Sequence, residues 1–135
     1  MLLPRQPSHR QAILALERKH REANVTAALT VECTPLDSQT LLVCPVGLVD
    51  IHTNLGLRQA LRPVYQQSPA SVVVDLSNVT FLDRTGLVTL VALRRWLASR
   101  DGTLMLRSVP PPAQRLLAAV GLHRVFQFER PAALT

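Results

Sequence analysis

The sequence predicts an α/β fold in which helices pack on a mixed sheet. Apolar, β-branched runs alternate with segments whose apolar residues recur at helical spacing, in the order β-β-α-β-α-β-α. This alternation indicates a sheet with a parallel portion and right-handed crossovers. The 135 residues, 47% hydrophobic and 18% charged, suit one domain with a single core. We assign residues 29–135 to that domain and residues 1–28 to an N-terminal extension.

The extension differs in composition from the rest of the chain. Ser8 and Gln11 have the spacing of a capping box, which predicts a helix through about Ala23. The apolar face of this helix is short, and such a helix is marginal without a surface to dock on. Residues 1–28 are therefore either an appended helix or a mobile arm.

The first half of the domain contains a predicted hairpin and a helix. LTVEC (29–33) and TLLVCPV (40–46) are strand-like, and the turn-forming TPLDSQ joins them. A helix is expected from about Thr53, with an apolar stripe made of Leu57, Leu61 and Val64. Pro63 must end or kink this helix, because its ring clashes with the preceding turn and it has no N–H.

A strand and a long helix are predicted next. SVVVDL (71–76) is a continuous β-branched run, as expected for a strand covered on both faces. After residue 86 the apolar residues follow helical spacing, at Leu87, Leu90, Val91, Leu93 and Leu97. Asp101 and Gly102 are expected to close the helix, with Gly102 in the left-handed cap.

The last strand and helix are predicted beyond residue 102. TLMLRSV (103–109) is strand-like, and the three prolines 110–112 pre-set a helix start. This helix runs to Gly121, with a buried stripe made of Leu116, Leu117 and Val120. Phe126 and Phe128 are expected to cover an edge of the core.

Composition narrows the range of partners. The net charge is +6, but the basic residues are scattered without interleaved aromatics, so direct nucleic-acid binding is not expected. No apolar run approaches the roughly 20 residues of a membrane-spanning helix. No long hydrophobic segment follows the first charge, so we do not expect a secretory signal. We therefore expect a cytoplasmic protein.

Few residues are suited to metal binding or catalysis. Cys33 and Cys44 flank the predicted hairpin but form no CxxC pair, so we expect two buried, reduced cysteines and no metal site. The chain has no Gly-rich phosphate loop and no nucleophile–base pair at a recognisable spacing. The sequence thus predicts a protein that is not an enzyme and that needs no cofactor.

The stretch FLDRTGL (81–87) lies where a predicted strand gives way to the long helix. At this edge of an α/β sheet, outside the carboxyl ends of the strands, binding sites tend to form. Thr85 falls in the first helical turn, where unpaired backbone N–H groups and the helix dipole would favour a phosphate. Asp83 or Thr85 would serve equally well as a simple helix cap, and from these residues alone capping is the favoured interpretation.

Residues 72–126 contain an ordered series of motifs: DLSNV after a strand, DRTGL opening a helix, and GLHRVF closing the last helix. This series resembles the STAS domain of bacterial anti-sigma factor antagonists, with D-L-S-x-V, D-S-[ST]-G-L and G-L-x-x-x-F in the same order. GLVD (47–50) is similar to the family's G-E-[IL]-D. The resemblance covers about residues 29–128.

The resemblance implies a partner and a switch. The partner is an anti-sigma factor with an ATP-binding serine/threonine kinase domain, which phosphorylates the antagonist and then no longer binds it. By the resemblance, Thr85 is the phosphoacceptor, and the partner-binding residues are Asp50, Asp83, Arg84 and Gly86. Gly86 either leaves room for the partner's backbone or is an early helix residue without steric demand.

Two residues depart from the family pattern. Arg84 replaces a residue that is usually small, so it either pairs with the phosphate, blocks a kinase that expects a small side chain, or points into solvent. Leu48 replaces the family's glutamate.

An alternative function is that of a stand-alone STAS accessory subunit of a membrane lipid transporter, which docks on the transporter ATPase without phosphorylation. The sequence does not predict the oligomeric state.

Overall fold

A mixed sheet organises the chain, which the computed structural model describes at residue 10 and at residues 28–129. The predicted helix of the N-terminal extension falls largely outside these residues. The six strands are β1 Leu29–Pro35, β2 Thr40–Val49, β3 Ser71–Asp75, β4 Val79–Leu82, β5 Thr103–Arg107 and β6 Gln127–Phe128. The helices are α1 Asn54–Ala60, α2 Arg62–Gln67, α3 Arg84–Ala98 and α4 Pro111–Ala119, followed by a 3₁₀ turn, Leu122–Arg124.

The predicted order of elements is confirmed, with three additions. The helix expected from Thr53 is divided into α1 and α2, because Pro63 lies in the first turn of α2, where its missing N–H costs no hydrogen bond. The short strands β4 and β6 were not predicted. All three additions are brief segments, too short to leave a periodic pattern of their own.

The long strand β2 pairs with three neighbours. It is antiparallel to β1, and it runs parallel first to β3 (Thr40–Val43) and then to β4 (Gly47–Val49). The register shifts between Gly47 and Leu48, and Gly47 has φ of 113°. A Cβ at Gly47 would lie 2.2 Å from the Ala28 carbonyl oxygen, so this irregularity depends on glycine.

The main core lies between the sheet and the helices. Its centre is the predicted stripe of α3, where Leu87, Leu90, Leu93 and Leu97 are at most 2% exposed, while Val91 is only partly buried. The core contains little aromatic surface. Leucine and valine carry the burial, which agrees with the 4% aromatic content. A smaller apolar cluster on the opposite face of the sheet contains Leu42, Cys44 and Val46.

The strand β3 takes part in both apolar clusters. Val72 and Val74 are fully buried beneath the helices, whereas Val73 faces the smaller cluster and is partly buried. The prediction of a strand with contacts on both faces therefore agrees with the structure.

The C-terminal part of the fold corrects two expectations. In α4 the fully buried residues are Ala113 and Leu117, whereas the other members of the predicted stripe are only partly buried. Phe126 is buried against the core, but Phe128 lies exposed in the edge strand β6. The edge is thus covered by one phenylalanine rather than two.

The end of α3 does not use glycine in the predicted way. The left-handed residue is Asp101, with φ of 60°, and not Gly102. Gly102 instead provides space, since an added Cβ would lie 3.1 Å from the Leu97 carbonyl oxygen and 3.2 Å from that of Ala70. The N–H of Gly102 donates to the Leu97 carbonyl oxygen at 2.7 Å and closes the turn.

The two cysteines are free and lie on opposite faces of the hairpin. Cys33 packs against the main core, where its Sγ lies 3.5 Å from the Ala60 carbonyl oxygen, while Cys44 belongs to the smaller cluster. Burial raises the pKa of each thiol to about 11. Both side chains therefore remain protonated and serve as small apolar residues. Among the helices of the described residues, none combines the length and the apolar character needed to cross a membrane.

Replacing Gly47 with alanine is expected to lower the free energy of unfolding by about 1 kcal/mol or more. The alanine would have to adopt a positive φ, and its methyl group would collide with the Ala28 carbonyl. Gly56→Ala is the matched control, because a Cβ there meets nothing within 4 Å and Gly56 lies inside α1. That variant is expected to gain about 0.4–1 kcal/mol. Urea denaturation of both variants measures the difference, and a Gly47→Ala protein as stable as wild type contradicts the role of Gly47.

Candidate functional site

Two loops meet where β2 and β4 end. Because the two strands are parallel neighbours, their carboxyl ends lie at the same edge of the sheet. Asp50 follows β2, and Asp83 follows β4. The Asp83 N–H donates to the Val49 carbonyl oxygen at 3.0 Å and joins the two loops. The segments that carry the predicted site residues, 50 and 83–86, therefore occupy one region.

Asp83 is the N-cap of α3. One of its carboxylate oxygens, Oδ1, accepts the N–H of Thr85 at 2.9 Å and the N–H of Gly86 at 3.3 Å, and it also accepts the Thr85 hydroxyl. Of the two interpretations that the residues left open, capping is the one that the structure displays. Two of the N–H groups that would favour a phosphate, those of Thr85 and Gly86, are already paired with a carboxylate of this chain.

The hydrogen bonds around Asp83 keep it ionised. Burial alone would raise the pKa of Asp83. The Thr85 hydroxyl and the backbone N–H groups of Gly86, Thr85 and Ile51 outweigh that effect and hold the pKa below its usual value. The negative charge is consequently present at neutral pH, directly beside the Thr85 hydroxyl.

Thr85 is half-buried at the second position of α3. Its hydroxyl points back to the capping carboxylate, and its carbonyl oxygen accepts the Thr89 hydroxyl at 3.3 Å. The side chain is thus held in one orientation while part of it stays in contact with solvent. A group attached to its Oγ1 would lie against Asp83.

Asp50 shapes the loop that leads into α1. Its Oδ1 accepts the N–H of His52 at 2.8 Å and the N–H of Thr53 at 3.0 Å. The Thr53 hydroxyl in turn donates to the Leu48 carbonyl oxygen at 2.7 Å. Asp50 therefore fixes the conformation of residues 50–53, next to the α3 cap.

Gly86 is buried and provides close packing. A Cβ on it would lie 2.5 Å from Val49 Cγ1 and 2.7 Å from Leu82 Cδ1. The first turn of α3 can approach the ends of β2 and β4 only because residue 86 has no side chain. The space beside Gly86 is filled by side chains of this chain's own strands rather than left for a partner's backbone. The expectation that position 86 carries no steric demand is also wrong, because any side chain there would collide with Val49 and Leu82.

A buried hydrogen bond that the sequence did not reveal ties the two loops together. Thr89, the one buried polar residue of the described chain, donates its hydroxyl to Asn54 Oδ1 at 2.7 Å. Asn54 begins α1 and Thr89 lies in the second turn of α3. The sequence did offer one signal, because Thr89 is a polar residue within an otherwise apolar helical stripe. No feature of the neighbouring sequence identified Asn54 as its partner.

Exposed apolar side chains surround this edge. Of the eight large hydrophobic residues exposed in the described chain, five belong to segments 48–55 and 81–88: Leu48, Ile51, Leu55, Phe81 and Val88. Ile51 and Val88 are 69% and 68% exposed. Leu48, which stands where the resemblance expected a glutamate, pairs in register with Phe81. A concentration of exposed apolar surface beside polar groups is typical of a protein interaction site.

Arg84 completes the set of polar groups at this edge. Arg84 is exposed at the first position of α3 and has no ion pair within residues 28–129. In the same part of the chain, His, Cys, Asp and Glu side chains form no group of three suited to a metal ion. The arrangement offers an oriented hydroxyl, a carboxylate and an arginine within an apolar surface.

Comparison with known proteins agrees with the fold. The family model for the STAS domain matches residues 30–133. The anti-sigma-B factor antagonist of Staphylococcus aureus is 32% identical over 76 residues, which cover 56% of this chain and 70% of that protein.

Solved structures give the same result. An anti-sigma factor antagonist from Mycobacterium paratuberculosis superposes with a TM-score of 0.69 at 29% identity, covering 77% of this chain and 87% of the other. The phosphorylated form of the Bacillus cell fate determinant SpoIIAA superposes with a TM-score of 0.60 at 16% identity, covering 75% and 92%. The second likeness concerns the fold alone.

The cap by Asp83 can be tested through stability. Asp83→Ala is expected to lower the free energy of unfolding by about 1 kcal/mol at neutral pH, because two N–H groups of α3 lose their acceptor. Asp83→Asn keeps an acceptor oxygen and removes only the charge, so it is expected to cost less. Chemical denaturation at a series of pH values measures both effects.

The same experiment has a pH signature. The folded-state pKa of Asp83 is lowered, so its charge stabilises the fold above the unfolded-state pKa near about 4. This contribution is lost as the pH falls through the folded-state pKa. The stability gap between wild type and Asp83→Asn should therefore narrow on acidification, and a gap that stays constant down to about pH 2 contradicts the assignment.

Proposed function

The chain belongs to the STAS domain family of anti-sigma factor antagonists, and on this premise we propose that it regulates transcription by binding an anti-sigma factor, with phosphorylation of Thr85 ending the interaction. The observation that carries this proposal is the Thr85 hydroxyl, oriented by Asp83 at the start of α3 and partly open to solvent. The name of the Staphylococcus aureus relative supports the choice of partner.

In the unphosphorylated state the surface suits a protein partner. Five exposed apolar side chains give the area whose burial drives association, and the capped helix start is rigid before the partner arrives. The Thr85 hydroxyl is neutral and already donates to Asp83. A partner can therefore cover Thr85 without burying an unpaired charge on it. We assign Asp50 the role of holding the neighbouring loop in its binding conformation.

Phosphorylation would disturb this surface by electrostatics. A phosphate adds about −1.5 to −2 charges. The nearest N–H donors of α3 are those of Thr85 and Gly86, and both are held by the Asp83 carboxylate. The phosphate must therefore either displace a negatively charged cap or turn outward into the partner's position. Both outcomes oppose the interface that fits the neutral hydroxyl.

Arg84 modifies the electrostatics of this switch. Its guanidinium is exposed one residue before Thr85, and arginine pairs strongly with phosphate. We propose that Arg84 offsets part of the added charge, so that release of the partner depends on the steric bulk of the phosphate as well as on repulsion. With a small residue at position 84, the full added charge would oppose the partner.

The proposed partner is an anti-sigma factor whose ATP-binding kinase domain phosphorylates Thr85 in the cytoplasm. The STAS domain itself acts as a scaffold and not as an enzyme. No specific observation favours the alternative of a lipid-transporter subunit, since the curated relative is named for anti-sigma-B factor antagonism. Recovery of the protein with a membrane ATPase, and not with a soluble kinase, would reverse this preference.

Phosphorylation is tested with candidate anti-sigma kinase domains, magnesium-ATP and mass spectrometry. Wild type is expected to gain one phosphate, on Thr85, and Thr85→Ala none. Thr85→Glu is expected to weaken kinase-domain binding by about tenfold, because a carboxylate imitates part of the phosphate charge. Thr103→Glu makes the same change in an exposed threonine at the start of β5, and it should bind like wild type. Equal binding by the Thr85→Glu and wild-type proteins argues against the switch.

The apolar part of the interface has its own test. Ile51→Ser is expected to weaken partner binding by about tenfold, because an exposed apolar side chain at the centre of an interface loses its burial energy. Its stability should be unchanged, since Ile51 is 69% exposed. Leu36→Ser, in the turn between β1 and β2, is the matched control for an exposed apolar residue away from the site. Titration calorimetry with the same kinase domain distinguishes them, and equal losses in both variants would place the interface elsewhere.

A further inference from the structure

An open groove runs along the outer side of α3. It has a volume of about 820 Å³ and is bounded by α3 on one side and by the end of α4 and the 3₁₀ turn on the other. The lining residues from α3 are Arg84, Leu87, Val88, Val91, Ala92 and Arg95; Ala119, Val120 and Leu122 line the opposite wall. Apart from the two arginines, every lining side chain is aliphatic.

The walls of the groove restrict what can bind there. Both are mainly helical, so most of their backbone N–H and C=O groups are already paired, and few remain for an extended peptide or a nucleotide. The described residues contribute no aromatic side chain to the lining on which a base or sugar could stack. An apolar groove between helices, open along its length, fits an amphipathic helix that lays its apolar face into it.

The spacing of the α3 residues supports a helical occupant. Arg84, Val88, Val91 and Arg95 follow the i, i+4, i+7, i+11 pattern of one helical stripe, the spacing by which two helices pack side by side. Val88 is 68% exposed within this stripe, although a valine gains by burial. The stripe therefore has the form of half of a helix–helix contact.

The charges define the chemistry of the other half. Arg84 and Arg95 stand at the two ends of the stripe, 11 residues apart (95 − 84), or about 16 Å along the helix axis. Among residues 28–129, no acidic side chain lines the groove. A partner helix with an acidic residue at each end of its apolar face would pair with both arginines while its centre covers the aliphatic side chains.

We propose that this groove is a docking site for an amphipathic helix of a partner protein, with acidic residues about three turns apart at the ends of its apolar face. The inference deepens the proposed function, on which it rests for the identity of the partner. The groove begins at Arg84, next to Thr85, so a phosphate on Thr85 would compete with the partner's acidic residue for Arg84. Release on phosphorylation would then follow from the loss of one of two charge pairs.

The direct test needs no natural partner. The probe is a fluorescent, helix-stabilised peptide with leucines along one face and glutamates 11 residues apart at the ends of that face. Binding to the full chain is followed by fluorescence anisotropy, and the contact surface is mapped by amide shifts in NMR spectra. We expect binding that weakens with added salt and shifts concentrated at residues 88–95 and 119–122.

Matched variants separate the groove from the general positive charge of the protein. Arg95→Glu is expected to weaken peptide binding by about tenfold, and a peptide with lysine in place of the corresponding glutamate should recover it. Arg94→Glu makes the same change at a neighbouring residue of α3 that does not line the groove, and its affinity should stay within about twofold of wild type. Ala92→Trp fills the groove and should abolish binding, while Ala98→Trp, exposed at the end of α3, should not.

Several results would overturn the proposal. One is an equal fall in peptide affinity in Arg94→Glu and Arg95→Glu, and another is a lysine peptide that binds wild type as tightly as the glutamate peptide. The others are NMR amide shifts that lie outside the groove, and amide shifts in the groove that a long-chain carboxylate produces but the peptide does not. Concentration-dependent self-association through the groove would likewise assign it to a second copy of the chain. The peptide-binding and kinase assays on wild type separate the two proposals. Phosphate on Thr85 without peptide binding would contradict the groove proposal alone. Peptide binding without any phosphate on Thr85 would contradict the switch alone.

Discussion

The candidate site depends on how β2 changes neighbours along its length. Its first residues pair with β3, and its last residues, from Gly47 onward, pair with β4, with a register shift after Gly47. The loops after β2 and β4 then become neighbours, and α3 starts where they meet. The left-handed conformation and close approach to the Ala28 carbonyl at residue 47 are acceptable only to glycine. This glycine therefore stands where β2 begins to pair with β4, three residues before Asp50.

At that edge one carboxylate serves both the fold and the proposed switch. Asp83 satisfies N–H groups at the start of α3 and at the same time orients the Thr85 hydroxyl. A phosphate on Thr85 would compete for the same donors as the cap, because both are anions that favour a helix N-terminus. Modification of the hydroxyl therefore acts on the helix start as well as on the outer surface. The Thr89–Asn54 hydrogen bond extends this connection to α1, so both loops would sense a change in the cap.

The parts of the fold that the sequence predicts are those whose signal is local. The leucines of α3 recur at helical spacing because one face is buried, and the prolines at 110–112 mark the start of α4 by their own geometry. Likewise, DRTG between a strand and a helix indicates a capped turn by its residue types alone. Gly86 and Thr89 were not predictable in this way. Gly86 is required by Val49, 37 residues away, and Thr89 is paired with Asn54, 35 residues away. The role of Gly102 was likewise not predictable from its neighbours in sequence. Asp101 takes the left-handed conformation, and Gly102 is required because a side chain there would crowd the Ala70 carbonyl.

The helix α3 carries a buried apolar stripe and a second apolar stripe that is partly exposed. The leucines at 87, 90, 93 and 97 face the core, while Val88, Val91 and Ala92 line a groove at the surface. An amphipathic helix with a single role would place polar residues on its outer side. Here the outer stripe is aliphatic in its middle and basic at both ends, and a complementary helix that covered it would bury the exposed Val88. Because Arg84 belongs both to this stripe and to the Thr85 site, the residue that departs from the family motif is also the point where surface recognition and phosphorylation meet.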